Sequence, residues 1–162
     1  TGVQTCALPI CILNLATFEV TMEKNGRLKL PSLLLKQFPE EERQAFYITH
    51  GLNHNIILWT ESALTERIEK VNQLDEEKVL VQDYKKVAFR RIVPVETDSQ
   101  NRIIIPKLFI EKYQFQKDLV LWLENGKVEI WDAQLFDSKF DMSPEEVGLM
   151  NQEVFTNHLK QI

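Results

Sequence analysis

At 162 residues, 44% hydrophobic and 27% charged, the chain has apolar material for one domain or two small ones. Its formal charge of −5 argues, on the total alone, against a polyanionic partner, although a total says nothing of where charges lie. Both cysteines, Cys6 and Cys11, fall within the first eleven residues, so the remainder can build neither a disulfide framework nor a thiolate zinc site, in keeping with a reducing cytoplasm.

In chain order, "TGVQTCALPI" resembles the in-frame translation of a sequencing-library adapter, and residues 1–11 are set apart from fold reasoning on that ground. A secretory signal is the rival reading, because "ALPICILNLA" is apolar, but it lacks a basic leading segment and is too short to span a membrane. No later stretch is long and apolar enough for a transmembrane helix, and no membrane association is expected. "FEVTM" alternates like a strand, and Asn25-Gly26 is a strong two-residue hairpin signal, which predicts "RLKL" as the return strand. Pro31 ends that ladder and suits the first position of a short helix over "SLLLK". "AFYITH" and "NIILW" then form a second hairpin, and residues 61–89 read as two helices.

The same pattern then recurs. Laying Arg27 on Arg102 aligns Val20 with Val95, Glu23 with Asp98, Leu30 with Ile105, Pro31 with Pro106, Leu33 with Leu108 and, after a loop of different length, Trp59 with Trp131. "VPVET" and "RIIIP" take the places of the first two strands, "QN" replaces the turn, "KLFIEK" the short helix, and "LVLWLEN" with "GKVEIW" the second hairpin, turning at Asn125-Gly126. Thr60 and Asp132 are helix N-cap candidates after the two tryptophans. The chain thus divides into a first repeat at 15–61, a helical connector at 62–89, a second repeat at 90–133 and a helical tail at 134–162, where an amphipathic stretch follows Ser143-Pro144. About 45 residues cannot bury a stable core alone. Two such units can complete each other by pairing hairpins into one closed barrel with no free edges.

Acidity is confined to two segments. Residues 61–77 and 137–153 each carry a net −4, which leaves +3 on the rest of the chain. Lys24, Arg27 and Lys29 surround the first turn, and Lys85, Lys86, Arg90 and Arg91 lead into the second repeat. Solvated surface and a DNA-binding face are both compatible with this pattern. Asp98 and Arg102 have two readings as well. The acid can accept backbone N–H bonds in the turn and pair with the arginine as a structural clasp. Alternatively it aims a guanidinium whose planar fork matches phosphate oxygens and the O6/N7 edge of guanine, on a two-stranded ribbon that fits the major groove.

Two copies of acid-x-x-[GN]-Arg-[LI]-x-[LI]-Pro, each followed by a hairpin ending near a tryptophan, resemble the MraZ family of bacterial transcriptional regulators, over about Leu15 to Phe140. The resemblance implies an α+β fold of tandem swapped-hairpin SpoVT-AbrB-like repeats, forming a double-split β-barrel with flanking helices. It further implies a cytoplasmic, nucleoid-associated repressor of the division and cell-wall gene cluster that begins with its own gene. Such a regulator would act as a homo-oligomeric ring, an octamer or dodecamer, on repeated G-containing elements of double-stranded DNA in its own promoter region. The family's Asp-x-x-x-Arg contact motif falls on Asp98 and Arg102. In the first repeat it falls on Glu23 and Arg27, where Glu departs from the pattern, and Asn101 stands where the first repeat keeps the turn glycine, Gly26. Arg27 and Arg102 are thereby the expected DNA contacts, oriented by Glu23 and Asp98 and supported by Lys24 and Lys29. The alternative is a protein-interaction module of the AbrB-type antitoxin kind.

Other signals are weaker. His50 and His54 have metal-ligand spacing but straddle a strand end and a turn, so a loop pair is the preferred reading, and Trp59 and Trp131 are expected in the core. No nucleophile motif or phosphate-binding glycine loop is present, and no enzymatic activity, cofactor, metal site or small-molecule substrate is expected.

Overall fold

The computed structural model describes residues 15–160. The segment read as adapter-derived, residues 1–11 with both cysteines, lies outside them. The fold is α+β and its sheets are antiparallel throughout. Strands β1 (Leu15–Thr21) and β2 (Arg27–Lys29) precede the short helix α1 (Ser32–Leu35), then β3 (Ala45–His50) and β4 (Ile56–Trp59). Helices α2 (Glu61–Asn72) and α3 (Val79–Phe89) lead to β5 (Val93–Glu96), β6 (Arg102–Ile104), α4 (Lys107–Lys112), β7 (Asp118–Glu124) and β8 (Lys127–Asp132). Helices α5 (Ala133–Phe140) and α6 (Pro144–Asn157) close the order.

Six strands form one sheet in the order β1-β7-β8-β4-β3-β5, and β2 pairs with β6 in a separate ribbon. The opening strand of each repeat therefore lies against the third strand of the other, β1 on β7 and β5 on β3, while β4 and β8 meet at the centre. This differs from the hairpins expected at Asn25-Gly26 and at Asn101. The turns do form, with Glu23 N–H donating to Arg27 O at 2.7 Å and Asp98 N–H to Arg102 O at 2.9 Å, but neither return strand pairs with the strand before it. Turn chemistry acts on neighbouring residues only. The partner of each three-residue return strand is decided by burial, because pairing β2 with β6 sends Leu28 and Ile103 together into one core, both fully buried. Each such burial contributes about 1.5–3 kcal/mol. The strands thus divide six and two instead of running as one closed sheet, with the ribbon touching β1 and β5.

Period-two alternation gives the sheet two faces. Ile56 and Leu58 of β4, with Leu121 and Ile130 of β7 and β8, join the main core beneath the ribbon, where Leu30, Ile105 and Phe109 also lie. Ile57 and Trp59 point to the opposite side and pack with Leu64 of α2. Trp131 likewise faces away from the main core and meets Phe136 and Phe140 of α5. The ribbon and the helices α2 and α5 consequently occupy opposite sides of the six-stranded sheet. Both expected caps form: the Thr60 side chain accepts from Ala63 N–H, and Asp132 accepts from Gln134 and Leu135 N–H. Ser143 and Glu146 make a reciprocal capping box at the start of α6. Pro31 and Pro106 stand one residue earlier than expected, at the N-cap positions of α1 and α4.

Candidate nucleic-acid interface

The ribbon is three residues long on each strand, in the register Arg27↔Ile104, Leu28↔Ile103, Lys29↔Arg102. Directly opposed residues share a face. With Leu28 and Ile103 buried, the other face carries Arg27, Lys29, Arg102 and Ile104 toward solvent. Lys24, in the turn before β2, is exposed as well. Three cations thus sit on a strip anchored from behind by the main core.

The two turns hold their arginines differently. Asp98 accepts from Gln100 N–H at 2.8 Å and Arg102 N–H at 2.9 Å through Oδ1, and from Arg102 Nε at 2.8 Å through Oδ2. The Arg102 backbone N–H bond is the main reason the Asp98 carboxyl sits below the usual aspartate range, and the Asp98 carboxylate raises the already high Arg102 pKa. Arg102 is accordingly fixed in direction, its side chain one quarter exposed. Glu23, expected to orient Arg27, instead lies 3.7 Å from Arg102 Nη1 in the other repeat. Arg27 is exposed and makes no ion pair with Glu23 or any other acid among the described residues. The cause is side-chain length: aspartate can fold back onto the N–H groups of its own turn, whereas glutamate overreaches them.

The backbone of the first turn depends on glycine. Asn25 and Gly26 have φ of 64° and 77°, and a Cβ on Gly26 would stand 2.7 Å from Ile105 O. That approach is close because Ile105 N–H donates to Gly26 O at 2.9 Å, mirrored by Leu30 N–H donating to Asn101 O at 2.9 Å. Asn101 carries its positive φ of 60° at the equivalent place, a conformation asparagine tolerates.

His50 Nδ1 hydrogen-bonds the Tyr113 hydroxyl, and its ring packs edge-on to Phe109, while burial followed by Lys112, Arg91 and Arg90 lowers its pKa. His54 sits edge-on to Tyr113 at positive φ. Trp59 and Trp131 are buried, and Trp59 donates to Thr49 Oγ1 at 2.8 Å. Lys85, from the basic stretch before the second repeat, pairs with Glu76 at 2.8 Å. An open depression between α4 and α5 is lined by Tyr113, Gln116 and Asp132, but the Asp132 carboxylate is already engaged by three backbone N–H groups. Among the described residues no helix is long and apolar enough to cross a membrane. Sequence reasoning missed Ile104 on the solvent face. Its position two residues beyond Arg102 in a strand was the available signal.

The sequence is similar to known proteins. A family model described as "MraZ protein, putative antitoxin-like" matches residues 88–153. A "Transcriptional regulator MraZ" of Mycoplasmopsis pulmonis is 30% identical over 129 residues, covering 80% of this chain and 85% of the relative. Proteins of the same name from Cytophaga hutchinsonii and Christiangramia forsetii are 28% identical over 119 residues and 26% over 144. They cover 74% and 88% of this chain, and 79% and 93% of their own lengths.

Proposed function

Because the chain belongs to the MraZ family, we propose that it is a transcriptional regulator without enzymatic activity, which binds double-stranded DNA through the outer face of the β2–β6 ribbon. The observation that carries this reading is the strip of Arg27, Lys29 and Arg102 backed by the fully buried Leu28 and Ile103. A two-stranded ribbon fits the major groove, and a guanidinium held by a carboxylate arrives there with little orientational entropy left to lose. Arg102 is assigned to a guanine edge, while Arg27, Lys24 and Lys29 serve the phosphates. Asp98 positions Arg102, and Glu23 assists it from the first repeat.

The interleaved pairing supports reading residues 15–61 and 90–133 as swapped-hairpin repeats of a double-split barrel, joined by the connector 62–89 and followed by the tail 134–162. One ribbon makes few phosphate contacts. A homo-oligomeric ring would make later contacts intramolecular and gain roughly 10²–10⁴ in avidity on repeated promoter elements. Repression of the chain's own division and cell-wall cluster, in the cytoplasm at the nucleoid, completes the reading. The test is an anisotropy titration of wild type and Arg102→Ala with duplex from upstream of the chain's own gene. A large loss of affinity in an intact oligomer is expected, and unchanged affinity refutes the assignment.

A second reading, a protein-interaction module of antitoxin type, is favoured by one feature: α6 buries no residue and exposes Val147, Leu149, Met150, Val154 and Phe155. A small protein co-purifying in stoichiometric amount would support it.

A further inference from the structure

Ile104 is the anomaly of the cationic strip. Its neighbours in sequence are fully used by the core, with Ile103 0% and Ile105 1% exposed, yet Ile104 is 55% exposed. It stands directly opposite Arg27, and Arg102 precedes it by two residues on the same face. The repeat relationship that superposes Arg27 on Arg102 and Leu28 on Ile103 places Lys29 where the second repeat has Ile104. The ribbon is therefore symmetric in backbone and buried residues but not in what it shows to solvent: Arg-x-Lys on one strand, Arg-x-Ile on the other. A branched aliphatic group between two guanidiniums adds nothing to the fold and weakens a purely electrostatic surface. It suits a target that is anionic overall and has a small apolar projection at that point. In the major groove only the C5-methyl of thymine has that character.

We infer that Ile104 is a specificity-determining residue that packs against a thymine methyl in the major groove, on the same element as the base pair read by Arg102. This rests on the DNA-binding reading above and deepens it. Two residues along a strand span about 6.6 Å, and base pairs rise about 3.4 Å per step. The thymine consequently lies about two steps from the guanine contacted by Arg102. Because Lys29 takes the equivalent position on the other strand, each recognised element is polar, with a methyl-reading end and a phosphate-reading end, and is not a palindrome.

The test begins with a duplex selected by the full chain from a random-sequence library, in which each dT is replaced by dU. That exchange removes the methyl and leaves base pairing intact. Wild type is expected to bind roughly three- to five-fold more weakly for one such loss per element, the worth of one buried methyl. Ile104→Ala is expected to bind the dT and dU duplexes equally, at about the affinity wild type has for dU, and Ile104→Val to keep part of the discrimination. Equal binding of both duplexes by wild type, or full discrimination by Ile104→Ala, overturns the inference while leaving DNA binding intact. A change of oligomeric state in Ile104→Ala, measured by light scattering, also overturns it, because the residue is then an assembly contact. Failure of wild type to select any duplex in a salt-dependent manner removes the underlying DNA-binding reading instead.

Discussion

Lys29 faces Arg102 directly across the ribbon and makes no ion pair among the described residues. Like charges placed directly opposite each other in a sheet destabilise it by roughly 0.2–1 kcal/mol. Lys29→Ala is therefore expected to leave the fold unchanged or stabilise it by a few tenths of a kcal/mol in urea denaturation, and to weaken DNA binding. Opposite signs in the two assays mark a side chain that serves a partner and not the fold. The size of the binding effect follows from counterion release. If two adjacent chains each place Lys24, Arg27 and Lys29 on phosphates, about six contacts give a log–log salt slope near −5, and affinity falls about 10³-fold between 50 and 200 mM salt. Without Lys29 about four contacts remain, the slope moves to about −3.6, and the same salt step costs about 10²-fold. Anisotropy titrations at five salt concentrations measure both slopes. An unchanged slope, or a loss of more than about 1 kcal/mol of stability in Lys29→Ala, would refute the placement of DNA on this face.

Asp98→Ala frees Arg102 and strips two turn N–H groups of their acceptor, so a roughly tenfold loss of DNA affinity is expected, against less than about threefold for Glu23→Gln, whose contact is only 3.7 Å. Because the Asp98 carboxyl lies below the usual range, its charge persists as pH falls from 8 to 5 and is lost only on descending through that lowered value, so titrations over pH 8–5 should show no contribution from this pair. Gly26→Ala meets both a φ of +77° and the Ile105 carbonyl and should destabilise by roughly 2–3 kcal/mol, whereas Gly148→Ala, in an open helical site, should be neutral or gain about 0.5–1 kcal/mol; chemical denaturation of the pair separates the two effects. Burial, with Lys112, Arg91 and Arg90 behind it, lowers the His50 pKa from its ordinary 6.5, so just below that value the unfolded chain binds a proton more readily than the folded one. Stability should fall on acidification below that value, and His50→Gln should flatten that part of the Tm–pH curve.

The positions of the strands, both proline-led turns of helix and the caps at Thr60 and Asp132 were legible because each depends on neighbours in sequence. Strand partnership was not. Asn25-Gly26 has the chemistry of a hairpin turn and adopts its positive φ angles, yet β2 pairs with a strand about seventy-five residues away, since only that pairing buries Leu28 and Ile103 together. The candidate site followed the same division. The repeated arginines could be found by alignment, and the alternation along β6 puts Ile104 on the face of Arg102, but the lean of Glu23 toward Arg102 and the placement of Ile104 opposite Arg27 arise from a register that no local pattern encodes.

The same topology accounts for how a chain of net charge −5 can approach a polyanion. Alternation along β4 and β8 sends Ile56, Leu58 and Ile130 toward the ribbon, and Ile57, Trp59 and Trp131 toward α2 and α5. Glu61, Glu66 and Glu69 of α2 are exposed behind the sheet, and the ribbon cations lie in front of it. A packed layer on each side of the sheet, about 10 Å apiece, puts roughly 20 Å between the two sets of charge, more than twice the Debye length of about 8 Å at physiological ionic strength. DNA docked on the ribbon would thus meet the local surplus of positive charge, with the acids of α2 largely screened from it. Period-two patterning, usually treated as a device for building a core, here also sorts the surface charges by sign.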